Sequence, residues 1–277
     1  MHTPVLLQEA VNGLKVKKNG LYIDATFGEG GHAREILKQG GKVLGIDLDI
    51  NQIRNSIPII SGRNLKLVQG NFANIEEIAK ENDFFRVDGI LFDLGLSMNQ
   101  IDSSGKGFSY RRINEPLDMR IDPNLEETAE DLVNSYSEDQ LYEIFAKFSE
   151  ELNSRAIAGA IVFTRRIKKI RKVGDLLTVI KKTVKINEEQ ASKRIFQALR
   201  IKVNNELENL KQGLKGSLKI LQQEGRIVVI SFHSLEDRIV KNFIRDNQLD
   251  QINKKVIIGD QNISFERSAK LRIISFK

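Results

Sequence analysis

Cysteine and tryptophan are absent from this chain, and proline and histidine are scarce. Among 277 residues there are no Cys, no Trp, four Pro and three His. Without cysteine the chain has no disulfides, no thiolate metal sites and no cysteine nucleophile. No apolar run is long enough to span a membrane and no signal-peptide pattern opens the sequence, so we expect a cytoplasmic protein without membrane contacts. An apolar content of 40% is typical of a globular protein of one large or two smaller domains.

A glycine-rich loop follows the apolar run Leu21–Asp24 and reads Gly28-Glu29-Gly30-Gly31-His32. Glycines let the backbone approach a ligand closely, and the helix predicted after them would present free N–H groups. The next apolar run ends in Asp47, 19 residues beyond Gly28, where nucleotide-binding α/β folds place a ribose-binding acid. The pattern predicts a cofactor site. A dinucleotide fingerprint, a plain tight turn and a helix cap at Asp47 stay open as alternatives.

Strand and helix patterns alternate over the first ninety residues, which predicts a parallel sheet with crossover helices. No strand is predicted from Asp102 to about Asn205, and a strand returns at Gly225–Ser231. We therefore predict an α/β core, 1–101 and 206–277, interrupted by a helical insertion, 102–205. The other predicted elements are strands at Lys42–Asp47, Leu65–Gln69, Val87–Asp93 and Lys270–Phe276, and helices at Ala33–Gln39, Ile75–Lys80, Arg155–Lys172 and Ala191–Gln222.

Polar or ligand-like residues follow five of these strands, and ligands collect at the carboxyl ends of parallel strands. Besides the glycine loop, these ends carry Asp47, Phe72, Asp93 and His233. Asp47 would bind a ribose, Phe72 would pack on an adenine ring, and Asp93 would face the reacting end of the cofactor. Core packing is the alternative for Phe72, and His233 is a candidate general base, a phosphate contact or a structural histidine.

Basic charge is concentrated in one segment of the insertion. Between Arg155 and Lys202 there are 14 Lys or Arg against 3 Asp or Glu, a net charge of +11 in a chain whose total is +6. Such a concentration is what neutralising a phosphate backbone requires. A solvated lysine-rich helix surface is the other interpretation.

Several long motifs closely resemble the bacterial ribosomal RNA small-subunit methyltransferase H family, also called MraW. The resemblance runs nearly end to end. The motifs are His2-Thr3-Pro4-Val5-Leu6-Leu7, Asp24-Ala25-Thr26-Phe27-Gly28-Glu29-Gly30-Gly31-His32, Asp93-Leu94-Gly95-Leu96-Ser97, Gly107-Phe108-Ser109-Tyr110, Pro116-Leu117-Asp118-Met119-Arg120, Phe196-Gln197-Ala198-Leu199-Arg200-Ile201, Val203-Asn204-Asn205-Glu206-Leu207, Ile230-Ser231-Phe232-His233-Ser234-Leu235-Glu236-Asp237-Arg238 and Arg267-Ser268-Ala269-Lys270-Leu271-Arg272.

The resemblance implies an α/β protein: a class I (Rossmann-like) S-adenosylmethionine-dependent methyltransferase sheet with a helical insertion domain. It implies methylation of N4 of a cytidine in the decoding region of 16S rRNA, in the small ribosomal subunit. It also implies that the cofactor contacts are Gly30, Gly31, His32, Asp47, Phe72, Asp93 and Gln100. The chain departs from the family pattern at Ser97-Met98-Asn99, after Asn247 and before Arg267. A homodimer stays open.

The chemistry assigns further candidate roles. The exocyclic amine of cytosine is a poor nucleophile, so Asp93 or a backbone carbonyl of Leu94–Leu96 would hydrogen-bond it, with His233 as a second candidate catalytic residue. A base flipped out of the RNA would need apolar or aromatic contacts and nearby cations. The candidate substrate-binding residues are Phe108, Tyr110, Arg111, Asp118, Arg120 and Phe232, with Asp118 alternatively paired to Arg120. Two rival classes are a nicotinamide-dependent oxidoreductase and a non-catalytic RNA-binding protein.

Overall fold

The computed structural model describes residues 4–57, 60, 62–95, 101, 104–263 and 265–277. The chain forms two compact units. Unit 1 comprises Met1–Gly95 and Leu207–Lys277, and unit 2 comprises Leu96–Glu206. These bounds lie a few residues from the predicted ones.

Unit 1 is built on a mostly parallel sheet. Its strands are β1 (Leu21–Asp24), β2 (Lys42–Asp47), β3 (Leu65–Gln69), β4 (Val87–Asp93), β5 (Leu221–Ser231), β6 (Asp250–Gln251), β7 (Ile257–Ile258) and β8 (Lys270–Ser275). The strand order is β3-β2-β1-β4-β5-β8-β6, with β7 also paired to β8. The first five strands of that order are parallel, and β8 runs antiparallel to β5.

Helices cover both faces of this sheet. They are α1 (Leu7–Leu14), α2 (Gly31–Lys38), α3 (Ile50–Ser56), α4 (Ile75–Glu81), α10 (Glu206–Ile220) and α11 (Ser234–Asp246), with a 3₁₀ turn at Phe72–Asn74. Successive residues of a strand pack into the hydrophobic cores on opposite faces of the sheet. Ile23 of β1 and Ile90 of β4 belong to one core, and Tyr22 of β1 and Leu91 of β4 belong to the other. Because both faces are buried, the central strands are continuously apolar.

Unit 2 is helical and has its own core. Its helices are α5 (Ala129–Ser135), α6 (Glu138–Ser149), α7 (Ser154–Ile167), α8 (Val173–Thr183) and α9 (Glu188–Asn204). Leu132, Phe145, Ile161, Leu176 and Phe196 are among the side chains buried together. Within the described part of unit 2 the sole β pairing is an isolated bridge between Pro116 and Lys172. Along the described chain, no helix is long and apolar enough to cross a membrane.

Two predicted helices were wrong in extent. The single helix Ala191–Gln222 is two helices, because Asn205 between α9 and α10 adopts the left-handed conformation at φ 51°. Asparagine accepts this conformation more readily than most residues. The helix predicted for Arg155–Lys172 ends at Ile167, since Lys168 is extended, and α8 then begins at Val173.

The separate core of unit 2 generates a stability prediction. Phe145 is fully buried, so Phe145→Ala should lower the free energy of unfolding by about 3–5 kcal/mol. Phe163, which is 66% exposed, is the matched control, and Phe163→Ala should change that free energy by less than about 0.5 kcal/mol. Urea unfolding followed by circular dichroism measures both. Equal losses for the two variants would contradict the burial assigned to these side chains.

Candidate active site

The candidate site lies where β1 and β4 end side by side. β1 pairs with β2 on one edge and with β4 on the other, so the chain connections leave β1 in opposite directions at this point. Open α/β sheets bind ligands at such a switch point. Thr26, just after β1, ties the two ends together, because its Oγ1 accepts the Asp93 N–H at 2.7 Å.

Asp47 is fixed by the backbone around the glycine loop. Its Oδ2 accepts the Gly28 N–H at 2.6 Å, and its Oδ1 accepts the Asp49 N–H at 2.8 Å. Gly28 has φ 53°, a conformation that glycine adopts without strain. A carboxylate has about four lone-pair sites, so two bonds to the backbone leave Asp47 able to accept two ribose hydroxyls.

The glycines at the start of α2 are packed by the protein itself. A side chain on Gly30 would meet the Phe27 ring at 2.7 Å, and one on Gly31 would overlap Pro4. Gly30 also has φ 74°. Gly30 is therefore required by packing and backbone conformation and Gly31 by packing, which are reasons distinct from the close approach of a ligand that the sequence suggested.

His32 is buried, and one backbone contact sets its protonation. Its Nε2 lies 3.0 Å from the Val5 carbonyl oxygen, so Nε2 carries the proton and donates it. Burial lowers the pKa of His32 to about 4, and the ring is neutral near pH 7. Its Nδ1 is then an acceptor, and it lies 3.9 Å from Asp93 Oδ2, which is an acceptor when Asp93 is ionised. In that state the two facing acceptors favour a proton donor between them.

Asp93 carries one of the buried side-chain atoms that make no hydrogen bond within the described residues. Its side chain is 20% exposed, yet its Oδ1 is buried and has no hydrogen-bond partner within the described residues. Burial raises the pKa of Asp93 to about 8, and the nearby carboxylates Asp24, Glu236 and Glu266 add to this rise, whereas the Gly95 N–H opposes it.

Two neighbouring carboxyl groups behave in the same way. Burial raises the pKa of Asp24 to about 7 and that of Asp47 to about 6. Asp24 is 1% exposed. The site therefore concentrates desolvated carboxyl groups that hold protons when no cation is near them.

Phe72 lies in the 3₁₀ turn after β3, partly buried. Its ring packs edge-on against Phe92, with centroids 5.6 Å apart, and it lies against the backbone of Gly213. This is the core packing that the sequence left as an alternative, and the partly buried ring still leaves some surface for a ligand. Gln100 and the departing motif Ser97-Met98-Asn99 lie outside the described residues.

His233 caps the helix α11. Its Nδ1 accepts the Glu236 N–H at 3.4 Å. Its Nε2 lies 3.1 Å from Glu236 Oε1 but is buried and makes no hydrogen bond within the described residues. Glu236 Oε2 in turn accepts the N–H groups of Phe232 and His233, at 2.8 and 3.3 Å. These contacts are those of a structural histidine, and the catalytic role of His233 stays a prediction. The Phe232 ring packs against the Gly95 backbone, two residues after Asp93.

The other candidate substrate residues lie in unit 2. The Tyr110 hydroxyl donates to Glu189 at 2.9 Å, and the Arg111 guanidinium lies near both that carboxylate and the Tyr110 ring. Phe108 packs partly buried against the core of unit 2. Asp118 and Arg120 form a two-pronged ion pair at 2.8 and 2.9 Å, which is the alternative that the sequence left open. Although burial pushes the pKa of Asp118 upward, Arg120 keeps that pKa below its ordinary value.

Sequence reasoning missed four residues of this site. Asp24, Glu236 and Glu266 surround Asp93 electrostatically, and Thr26 holds its backbone. Asp24 carried a detectable signal, because an acid directly after an apolar strand needs a partner or a cleft. Glu236 and Glu266 carried none, since their approach to Asp93 depends on tertiary packing.

The sequence matches a family of known proteins along its whole length. The model of the MraW methylase family matches residues 1–277. The chain belongs to the MraW methylase family. It is similar to a Ribosomal RNA small subunit methyltransferase H from Cytophaga hutchinsonii, 42% identical over 272 residues, covering 97% of this chain and 91% of that protein. The same-named protein of Bacteroides thetaiotaomicron is 39% identical over 300 residues, covering 100% and 97%.

Among solved structures, an rRNA methylase from Streptococcus thermophilus is 11% identical, with a TM-score of 0.46, and covers 100% of this chain and 98% of that one. Membership of the family makes this chain an S-adenosylmethionine-dependent methyltransferase. The predicted α/β fold class, enzyme class and cofactor are thereby confirmed.

The raised carboxyl pKa values predict how stability depends on pH. A carboxyl group whose pKa is raised in the folded state stabilises the fold below its unfolded pKa near 4, and this is lost as the pH rises through the folded pKa. The cofactor-free methyltransferase should therefore lose stability from pH 4 to pH 8 through Asp24, Asp47 and Asp93. His32 acts oppositely, because its lowered pKa removes stability as the pH falls from about 6.5 through 4.

The variant Asp93→Asn tests how much Asp93 contributes to the pH dependence of stability. The amide cannot ionise, so this variant should gain thermal stability relative to the native chain at pH 8 and gain much less at pH 5, without cofactor. Melting temperatures at the two pH values measure the difference. A gain that is the same at both would show that Asp93 does not bind an extra proton in the cofactor-free fold.

Proposed function

We propose that this chain transfers the methyl group of S-adenosylmethionine to N4 of a cytidine in the decoding region of 16S rRNA, after the base has left its stack. The cofactor class follows from the family, and the rRNA substrate is supported by the names of the relatives. The target base is supported by the motifs that resemble the methyltransferase H family. The observation that carries the proposed chemistry is the unpartnered, buried Oδ1 of Asp93.

The charge of the site suits this cofactor. S-adenosylmethionine supplies a methyl group on a sulfonium that is already a positive leaving group, and its methionine part adds an ammonium. Asp24, Asp93 and the acceptor nitrogen of His32 would bind positive N–H donors, while Asp47 would bind ribose hydroxyls. Gly30, Gly31 and Phe72 would border the same site, and Gln100 would complete it.

The carboxyl groups of the site argue against a nicotinamide-dependent oxidoreductase. A dinucleotide places a doubly negative pyrophosphate at the N-terminus of the first crossover helix. Here Pro4 packs against Gly31 at the first residue of that helix, and the groups that act electrostatically on the nearby Asp93 are carboxyls. An anionic dinucleotide would meet both steric and electrostatic resistance.

Asp93 would act on the amine of the target base. Its carboxylate would accept an N–H of that amine, which localises the nitrogen lone pair and holds it in line with the methyl group. A backbone carbonyl of Leu94–Leu96 would be the alternative acceptor. A proton leaves the nitrogen once the new bond has formed, and the high pKa of Asp93 makes its carboxylate a suitable acceptor.

Unit 2 would hold the RNA. The segment with net charge +11 belongs to this unit, and its cations suit phosphates. Tyr110, Phe108 and Phe232 would contact the flipped base, and Arg111 and Arg120 the adjoining phosphates. A cytoplasmic location and contact with the small ribosomal subunit belong to the same proposal, and a homodimer stays open.

Loss of the Asp93 carboxylate tests the mechanism. Asp93→Asn and Asp93→Ala should each lower methyl transfer at least a hundredfold, because catalysis by a positioned acid or base contributes about 10²–10⁴. The assay uses small subunits lacking the modification and isotope-labelled S-adenosylmethionine, with the labelled nucleosides identified by mass spectrometry. Label in N4-methylcytidine at one site is expected for the native chain, and label in another nucleoside would overturn the proposed target.

Asp88 provides the matched control. It lies at the opposite end of the same strand with a side chain 15% exposed, and it bonds Lys17 and the Leu21 N–H. Asp88→Asn should reduce stability while leaving transfer by the folded protein near the native rate. Full activity of the Asp93 variants, or an equal loss in Asp88→Asn, would contradict the role assigned to Asp93.

Cofactor binding should release protons. The cofactor-free site holds protons on carboxyls that a bound cation would force to ionise. Calorimetry in two buffers of different ionisation enthalpy should give different binding heats at pH 7, and affinity should rise between pH 6 and pH 8. Asp93→Asn should reduce the buffer dependence. Heats that do not depend on the buffer would contradict the proton-holding site without affecting the family assignment.

A further inference from the structure

The helix α7 is apolar on two faces. Ile157, Ala158 and Ile161 are buried in the core of unit 2. On another side, Phe163 is 66% exposed and Ile167, one turn later, is 76% exposed. A helix of a globular protein normally has one apolar stripe, and an exposed second stripe marks an interaction surface.

Basic side chains stand beside and just after the exposed stripe in the sequence. Arg166 lies on α7, and Lys169 and Arg171 follow in the segment that leads to α8; all three are exposed. Within the described residues, none of these three side chains forms an ion pair with an Asp or Glu. Some other cations of unit 2 are neutralised, as Lys168 is by Asp175 and Arg194 by Glu151. We name this surface the α7 face; it comprises Phe163, Arg166, Ile167, Lys169 and Arg171.

The α7 face adjoins the loop that carries the candidate substrate residues. The Leu117 N–H donates to the Arg171 carbonyl at 3.0 Å, and the Gly174 N–H donates to the Ile113 carbonyl at 2.9 Å. Tyr110 and Arg111 lie shortly before Ile113 in this loop. Because these contacts fix the loop beside Arg171, a polyanion that reaches Arg111 would also meet the end of the α7 face.

We propose that the α7 face binds a single-stranded segment of the RNA substrate, with Phe163 stacked on an unpaired base and Arg166, Lys169 and Arg171 on the phosphates around it. This rests on the proposed function, which makes RNA the substrate. Alternating aromatic and basic side chains are the usual means of binding single strands without reading their sequence. Ile167 covers the edge of the stacked base.

A protein partner fits the α7 face less well. Stable protein interfaces bury about 800 Å² on each partner around an apolar centre. Within α7 itself the exposed stripe has two large side chains, Phe163 and Ile167, and continues toward the start of the helix with Ala160 and Ala156. The exposed Leu152 precedes the helix. Three unpaired cations beside two apolar side chains match the phosphates and bases of a nucleic acid better.

The absence of tryptophan makes the stacking directly measurable. Phe163→Trp introduces the sole tryptophan of the chain, at an exposed position that tolerates the larger ring. Titration with a twelve-nucleotide oligouridylate should quench its fluorescence in a saturable way that weakens with salt. Phe85→Trp is the matched control, because Phe85 is 54% exposed in unit 1 and should show no quenching. Heparin, a polyanion without bases, should bind without quenching.

Two further variants separate stacking from charge. Phe163→Ala should weaken oligouridylate binding about tenfold, as loss of one stacked base does. Replacing Arg166, Lys169 and Arg171 by Gln should reduce the slope of log affinity against log salt by about two, since each phosphate contact contributes about 0.7. Gln at Arg63, Lys254 and Lys255 of unit 1 is the control, with the slope unchanged.

The outcomes separate this inference from the proposed function. The binding measurements use neither cofactor nor ribosomes, whereas the labelling of small subunits tests the reaction itself. N4-methylcytidine formed without any quenching of Phe163→Trp would overturn the α7 face and leave the function intact. Quenching that is equal in Phe85→Trp would also overturn it. Quenching specific to Phe163→Trp without methyl transfer would support the face and contradict the function.

Discussion

The parallel pairing of β1 with β4 is the contact on which the candidate site depends. It brings the ends of two buried strands together, and the Thr26 hydroxyl fixes the Asp93 backbone there. Since both strands end in aspartate, the pairing also forces two carboxyl groups into one desolvated place. The unusual protonation of this edge follows from the topology of the sheet, because Asp24 and Asp93 are 69 residues apart in the chain.

A cluster of desolvated carboxyl groups lowers the stability of the fold until a ligand binds there. Asp93 Oδ1 lacks a partner within the described chain, and His32 presents a lone pair to Asp93 because the Val5 carbonyl takes its proton. Protonation relieves the strain between like groups in the cofactor-free protein. A cationic ligand relieves it differently, by supplying the donors that the protein lacks. The same residues therefore destabilise the empty fold and select the charge of the cofactor.

Much of unit 1 could be predicted from the sequence, because its strands are continuously apolar and end in glycine or acid. The strands Lys42–Asp47, Leu65–Gln69 and Val87–Asp93 coincide with those of the structure. The helix break at Asn205 could not be predicted, since the apolar period continues through it and one left-handed residue redirects the chain. The capping role of His233 was hidden although its contact with Glu236 is local, because histidine is not among the usual N-cap residues. The approach of Glu266 to Asp93 was hidden because it depends on packing between distant segments.

The separation of charge along the chain suits two ligands of opposite sign. The segment from Arg155 to Lys202 has a net charge of +11, and the rest of the chain is therefore net negative. A site lined by carboxyls attracts a sulfonium and repels phosphates, whereas an unpaired cytosine is neutral and exposes an amine that carboxylates can accept. The phosphates of the RNA would then be held on the cations of unit 2, while only the uncharged base meets Asp93. The same electrostatics that bind the cofactor would thus oblige the substrate to present a base detached from its stack.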